Sequence, residues 1–544
     1  MKHLNITVTS AELCEPVSGV RVKRQNPDGQ TAFSMTDKQG IVGLEDLAAD
    51  EILQFEKEGF VTRTINGGEI SSLVRMLENR ITGYHDRLWA CPGEHVNVHA
   101  HSVSRFSAKL YRHGLEKQLI LDCGEHEAVV QQVPDALFVE KGLKWKEAFT
   151  CQIPDEAKPG LYSFYLEPDS GEPFAVPLVV STPPKEYGRK NKLLVLASTN
   201  TWQSYNLWGG RSRYRNFEES ASSQFLKGPR FLPRYWIRRT GQMLPTGIRN
   251  ALLRILKQSQ PAWKFKRLSI KRPMTNCRLE DDTPLKPFTN HLAGGEWRLL
   301  AWLERENIGF DIVSGFELHQ DPDLLKNYDA IVLSTHCEYW SERMYRGLKK
   351  YHQQNGLWIL NLSGNSIYRE VDFDTDGSMH CTSLFFEKSC EDETQLIGVR
   401  FTETDYGTAA PYKAVQPDHW VFENTGLDRK TPVFGKGCLN QNTEKNYERY
   451  DPGRPGFKNG LKGIGASGWE CDKLSRSARQ NFTLIAKGCN PRGGAHMVVR
   501  EPENPRGGVF SASSITFTGS LLVDDICSGI VKNVIRRVLE GVEV

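Results

Sequence analysis

Three short apolar runs, each ending in small polar residues, organise the second half of the chain. They are Leu193-Leu194-Val195-Leu196-Ala197, Asp329-Ala330-Ile331-Val332-Leu333 and Gly356-Leu357-Trp358-Ile359-Leu360-Asn361-Leu362. Runs of this length without alternation predict strands buried on both faces. The polar tips that follow are Ser198-Thr199-Asn200, Ser334-Thr335-His336-Cys337-Glu338 and Ser363-Gly364-Asn365. Between the second and third runs, Met344, Leu348 and Tyr351 fall on one face of a helix expected over 341–354. Trp297, Leu300, Ala301 and Leu303 mark another over 296–307, stopped at Gly309, and Phe310-Asp311-Ile312-Val313 reads as a strand. A short helical link is expected over 321–326. A last helix, over 521–538, carries Ile526, Ile530, Val534 and Val538 on one face. Strands alternating with helices predict a parallel sheet, and the carboxyl ends of its strands share one edge. The three polar tips should therefore meet.

The first half reads as all-β. Leu4-Asn5-Ile6-Thr7-Val8 alternates, and Val20-Arg21-Val22-Lys23, Ile52-Leu53-Gln54-Phe55 and Gly59-Phe60-Val61 follow with turns between them. Gly19-Val20-Arg21-Val22, Thr36-Asp37-Lys38-Gln39-Gly40 and Lys57-Glu58-Gly59-Phe60, in that order, resemble a carboxypeptidase-regulatory-like or transthyretin-like sandwich, expected over 1–78 and given no chemistry. A second β-sandwich is expected over 79–185, from Val96-Asn97-Val98-His99-Ala100, Pro159 to Leu166, and Phe174 to Val180. Pro183 to Gly188 reads as the linker to an α/β region over 186–544. His85, His95, His99 and His101 lie on sheet faces without an evident acidic partner and are read as packing or surface residues. The fold class is thus multidomain, α/β plus all-β.

Composition excludes more than it assigns. The chain has 544 residues, 39% hydrophobic and 25% charged, with net charge +3. This is the balance of a soluble globular protein, and nucleic acid is not an expected partner. No apolar run approaches the roughly 18 residues of a membrane span, and Met1 to Val8 lacks a secretory apolar core. The twelve cysteines show no paired metal spacing, so reduced thiols and a cytoplasmic location are expected.

One stretch departs from this balance. Residues 227–272 hold thirteen Lys or Arg and no Asp or Glu, with Tyr235, Trp236, Trp263 and Phe265 interleaved. Ile248, Leu252, Ile255 and Leu256 follow helical spacing beside Arg249, Arg254 and Lys257. Such a segment is either a surface insertion packed on its domain or a surface for an anionic membrane or glycan.

His336-x-Glu338 alone is a weak motif, and no zinc-protease, P-loop, nucleophile-elbow or dinucleotide motif stands in a convincing context. Cys337 invites a nucleophile reading, but a side chain next to His336 at a strand end points the other way. The ordered series carries more: Trp202-Gln203-Ser204-Tyr205-Asn206-Leu207-Trp208-Gly209-Gly210, then His336-Cys337-Glu338-Tyr339-Trp340-Ser341, Gly364-Asn365, Gly468-Trp469-Glu470 and Gly508-Val509-Phe510-Ser511. From about residue 80 onward this resembles the large (beta) subunit family of N,N-dimethylformamidase. The resemblance implies a β-sandwich followed by a glutamine-amidotransferase-like α/β domain, and a mononuclear iron held by two tyrosines and one glutamate. By motif the glutamate is Glu338 and one tyrosine is Tyr205. Relatives often place the second in an R-P-Y tract; here the tract is Arg272-Pro273-Met274, leaving Tyr214 or Tyr235 to supply it. His336, Asn365 and Glu470 match polar residues of the metal pocket, and Phe510 falls near a pocket phenylalanine.

Phenolate and carboxylate are hard donors suited to Fe3+. In the implied hydrolysis of a C–N amide bond, Glu470 acts as general base, His336 orients the water or protonates the leaving amine, and Asn365 donates to the oxyanion. The expected partners are a small-molecule or anionic substrate, another copy of the chain in a homo-oligomer, and an anionic membrane surface or glycan at 227–272. The competing expectation is a non-catalytic protein that keeps the amidase scaffold and binds an anionic glycan or lipid.

Overall fold

In the computed structural model, which describes residues 3–136, 138–217, 262–279, 281–287, 290–383, 392–441 and 461–539, the three apolar runs lie in one sheet, buried on both faces. Its strands, numbered here in chain order, are β1 (Leu193–Ala197), β2 (Asp311–Ser314), β3 (Ala330–Thr335), β4 (Trp358–Ser363), β5 (Tyr412–Ala414), β6 (Val433–Phe434), β7 (Thr483–Gly488), β8 (His496–Arg500) and β9 (Val509–Ser511). The spatial order is β2-β1-β3-β4-β9-β8-β7-β5-β6. Pairing is parallel from β2 through β9 and antiparallel from β9 to β6. The expectation of a purely parallel sheet is corrected here: its far half is antiparallel.

Side-chain alternation decides what covers each face. Leu193, Val195, Ala197, Val332 and Leu360 join one apolar cluster with helices α2 (Ala293–Arg305) and α4 (Asp525–Leu539). Leu194, Leu196, Ile331, Leu333 and Ile359 join another with α3 (Glu342–Gln354). Because neither face meets water, nothing selects polar residues at alternate positions. Helix α3 begins where Ser341 Oγ accepts from Met344 N at 3.2 Å, a side-chain cap for one of the amides that a helix start leaves unpaired.

The N-terminal half forms two pairs of sheets. The first joins Ile41–Glu45, His3–Ser10 and Leu73–Met76 to a four-stranded sheet ordered Thr31–Met35, Arg21–Gln25, Ile52–Glu56, Arg63–Asn66, around Ile6, Val22, Leu53 and Phe55. The second packs a three-stranded sheet centred on His95–His101 against a five-stranded one containing Phe106–His113 and Gly160–Pro168. It is fastened to α2: Trp297 Nε1 donates to Gly114 O at 2.6 Å, and Arg112 pairs with Glu304. His85 donates its ring to Pro177 O, and His101 contacts Glu78 O. His99 is corrected: Asp86 stands 3.3 Å from its Nε2. His95 is exposed.

Candidate metal centre

Four chain segments converge at the carboxyl edge of the parallel half, and each reaches it by a different local device. Tyr205 ends α1 (Thr199–Tyr205), a fully buried helix where the sequence reading expected only a polar tip. Glu338 and His336 follow β3. The chain turns at Thr335, whose φ is +48°. His336 and Glu338 are each 1% exposed and share the α2 face with Tyr205. Cys337 lies in the opposite cluster with α3. Burial pushes its thiol up to about 12, which removes it as a nucleophile.

Asn365 follows β4 with φ +54°. Gly364, just before it, has no room for a side chain: a Cβ there would lie 2.5 Å from Glu470 O and 2.6 Å from Ile515 N. This close approach brings the Glu470 turn onto the tip of β4. Trp469, Ile367 and Ser513, all near this junction, also have positive φ. Left-handed backbone is costly for a β-branched residue such as Ile367, and such residues gather where surrounding structure imposes them.

The two carboxylate oxygens of Glu338 have different partners. Oε1 accepts from Arg369 Nε at 3.2 Å. Oε2 accepts from Tyr205 Oη at 3.2 Å and from Tyr214 Oη at 2.5 Å. His336 Nε2 lies 3.4 Å from that same Oε2 and 3.3 Å from Glu470 Oε2, without hydrogen-bond alignment to either. Glu470 Oε2 accepts from Asn365 Nδ2 at 2.7 Å. Tyr339 Oη donates to Tyr214 Oη at 3.0 Å. The rings of Tyr205 and Tyr214 sit 4.3 Å apart between centroids.

Charge sets the protonation of this cluster. Burial opposes ionisation of Glu338, but His336, Arg369 and the Tyr214 hydrogen bond outweigh it and hold the carboxyl at about 2. Burial also works against a charged His336, yet Glu470 and Glu338 raise it to about 9. Asp472 accepts from Asn365 N at 2.8 Å, and burial drives its carboxyl well above the carboxylate range. Behind α1, Glu296 accepts from Trp202 Nε1 at 2.9 Å and from Ser198 N. Burial raises it to about 7 against those bonds.

The structure therefore gathers Tyr205, Tyr214, His336, Glu338, Asn365 and Glu470. Tyr235 lies outside the described residues. Met274, in the tract where relatives carry tyrosine, is buried in the apolar core. Phe510 sits in β9, fully buried against β4. Arg369, Tyr339, Asp472 and His291 were missed by sequence reasoning. His291 packs 4.8 Å from the Tyr205 ring and 4.5 Å from Trp469. Only Tyr339 carried a signal, its place in the H-x-E-Y-W run; the others arrive through register and loop contacts. Among the described residues, His336, Glu338 and Glu470 offer three ligand atoms within 4.8 Å of one another.

The sequence pattern of the family described as N,N-dimethylformamidase beta subunit-like, C-terminal, matches residues 107–529. That is well over half of the chain, which therefore belongs to this family. No curated protein matches it. Among solved structures, the Bacillus anthracis TIE protein aligns at 10% identity over 32% of this chain and 30% of its own length, TM-score 0.12. The major pilin subunit BcpA of Bacillus cereus aligns at 15% over 36% and 73%, TM-score 0.14. A DUF3823 family protein from Bacteroides ovatus aligns at 9% over 33% and 98%, TM-score 0.13. Overlaps this small carry no argument about function. No helix of the described residues is long and apolar enough to cross a membrane.

Proposed function

We propose that the chain is an iron-dependent hydrolase of a C–N amide bond, built on a glutamine-amidotransferase-like α/β domain. The observation that carries this is the convergence of Tyr205 Oη and Tyr214 Oη on one oxygen of Glu338. Two phenols and a carboxylate in mutual contact form a face of hard oxygen donors, the set that Fe3+ prefers. Tyr214 supplies the second phenol in this reading. Bound there, iron would polarise an amide carbonyl and acidify a water.

The remaining steps belong to the chain's own side chains. Arg369 holds Glu338 Oε1 and so fixes the other oxygen toward the phenols. Glu470 takes the proton of the attacking water, and Asn365 keeps its carboxylate in place through Nδ2. This modifies the role expected for Asn365: one amide hydrogen is committed to Glu470, leaving the other for the developing oxyanion. His336 stands between Glu338 and Glu470 and passes a proton to the leaving amine. The substrate is a small amide, with an anionic group as the variant to test first.

The experiment is elemental analysis with visible absorption. About one iron per chain with a phenolate-to-iron charge-transfer band supports the reading. A colourless protein holding zinc would instead point to the His336, Glu338 and Glu470 set. No bound transition metal after reconstitution would overturn metal dependence altogether.

A further inference from the structure

The hairpin that carries the second phenol of the pair meets the N-terminal end of the chain. Tyr214 sits at the tip of a short hairpin over 210–217, closed by Phe217 N on Gly210 O at 2.9 Å and Ser212 N on Arg215 O at 2.8 Å. Its base is Gly209-Gly210, with φ +90° and +79°. Both amides donate to Glu12 O, at 2.6 and 3.1 Å. Gly209 O faces the thiol of Cys14 at 3.8 Å and Arg75 Nη1 at 3.5 Å. Glu12, Cys14 and Arg75 all belong to the N-terminal pair of sheets or its connecting turn. Cys14 is itself left-handed, with φ +59°.

We propose that the N-terminal sandwich is a positioning element for the metal centre: its Glu12–Cys14 turn grips Gly209-Gly210 and so sets where the Tyr214 phenol meets Glu338. The inference rests on the reading of Tyr214 as a ligand. The hairpin base and tip are only four residues apart, so a shift at the base bears on the phenol, and ligand geometry tolerates roughly 0.5 Å. A cavity of about 700 Å3 lies against the contact, lined by Cys14, Arg75, Phe138, Gly209 and Arg211. The grip is tight at one point: a Cβ on Gly210 would lie 2.6 Å from Cys14 Cβ.

The test uses the full chain and two readouts. Gly210→Ala should raise hydrogen exchange of the Ser212 and Phe217 amides about tenfold in the metal-free protein, as the hairpin is released. In iron-loaded protein it should lower bound iron and the visible band toward the level of Tyr214→Phe. Cys14→Gly in the Gly210→Ala background removes the atom that clashes and should return both readouts toward the parent. Gly29→Ala is the control: its φ is +85° and a Cβ there meets nothing within 4 Å, so it should move neither. Should Gly210→Ala fail to fold, Cys14→Ala is read in the same way, with about a threefold rise in exchange. Unchanged exchange in both variants overturns the proposal. A parent without iron overturns the proposed function, while the exchange result still decides the grip.

Discussion

Tyr214 donates its phenol hydrogen to Glu338 Oε2 at 2.5 Å across 124 residues of sequence. The same oxygen takes the Tyr205 hydroxyl. Removing either phenol leaves a carboxylate with fewer donors and a ligand face with one oxygen missing. Tyr205→Phe and Tyr214→Phe are each expected to lower iron content and weaken the charge-transfer band. The double variant should be colourless. Retention of full colour in Tyr214→Phe would transfer the second ligand to another tyrosine, and elemental analysis reads the outcome directly.

Arg369 Nε donates to the other oxygen of Glu338, Oε1, at 3.2 Å. Outer partners of this kind orient a ligand without bonding the metal, and their loss costs about 10–100-fold in metal affinity. Arg369→Gln should therefore bind iron more weakly with the colour of the bound form preserved. Competition with a chelator measures the affinity, and the band position separates misorientation from ligand loss.

The sheet edge was legible because Ala197, Leu333 and Leu362 end runs buried on both faces, and parallel topology puts such ends together. Tyr205 followed from its motif, one short helix beyond β1. The antiparallel half was not legible. β7 and β8 (Thr483–Gly488 and His496–Arg500) are short runs that end at Lys487-Gly488 and Arg500, which periodicity does not separate from loops. Tyr214 stayed one of two alternatives because its place depends on Glu12 and Cys14, about 200 residues upstream. Arg369 was invisible for a similar reason: it reaches Glu338 through the pairing of Tyr339–Trp340 with Arg369–Phe373.

Asn365 offers a test of chemistry apart from metal binding. Its Nδ2 holds Glu470, and in the proposed mechanism its second hydrogen meets the oxyanion. Losing one such donor typically lowers kcat about 10²–10³-fold. Asn365→Ala should keep its iron and colour while amine release from an amide falls by that order. Equal loss of iron and activity would make Asn365 a structural residue instead.

Glu296 gives stability a pH dependence of known sign. Its carboxyl titrates near 7 when folded, against an ordinary 4.5. Between those values the unfolded chain has lost the proton and the folded chain still holds it, so stability falls as pH rises from about 4.5 to 7. It is level outside that window. For a group this deeply buried the total is about 3 kcal/mol. Glu296→Gln should flatten the thermal stability profile across the window and leave it parallel to the parent below pH 4.5. An unchanged slope would place the titration elsewhere.

The basic stretch divides into two parts with different expectations. Residues 227–261 lie outside the described residues, and the reading of Arg238, Arg239, Arg254 and Lys257 as an anionic docking surface stands on sequence alone. The described remainder is structural. Arg267 pairs with Asp374 at 2.5 Å and Asp376 at 2.6 Å. Arg272 is buried and donates to Trp208 O and Arg211 O, and Lys266 stands 3.6 Å from Glu140. These cations have partners within the fold and contribute little to an outward field. The other eight Lys or Arg of the stretch fall in 227–261, which contains no Asp or Glu. Each basic residue near an anionic surface contributes about 1 kcal/mol, screened within a Debye length. Charge reversal at Arg238, Arg239, Arg254 and Lys257 should therefore weaken binding to phosphatidylserine vesicles more than tenfold at low salt. High salt should erase the difference. Absence of parent binding at low salt would leave 227–272 as a packed insertion, and equal binding by the reversed variant would assign the contact to another face.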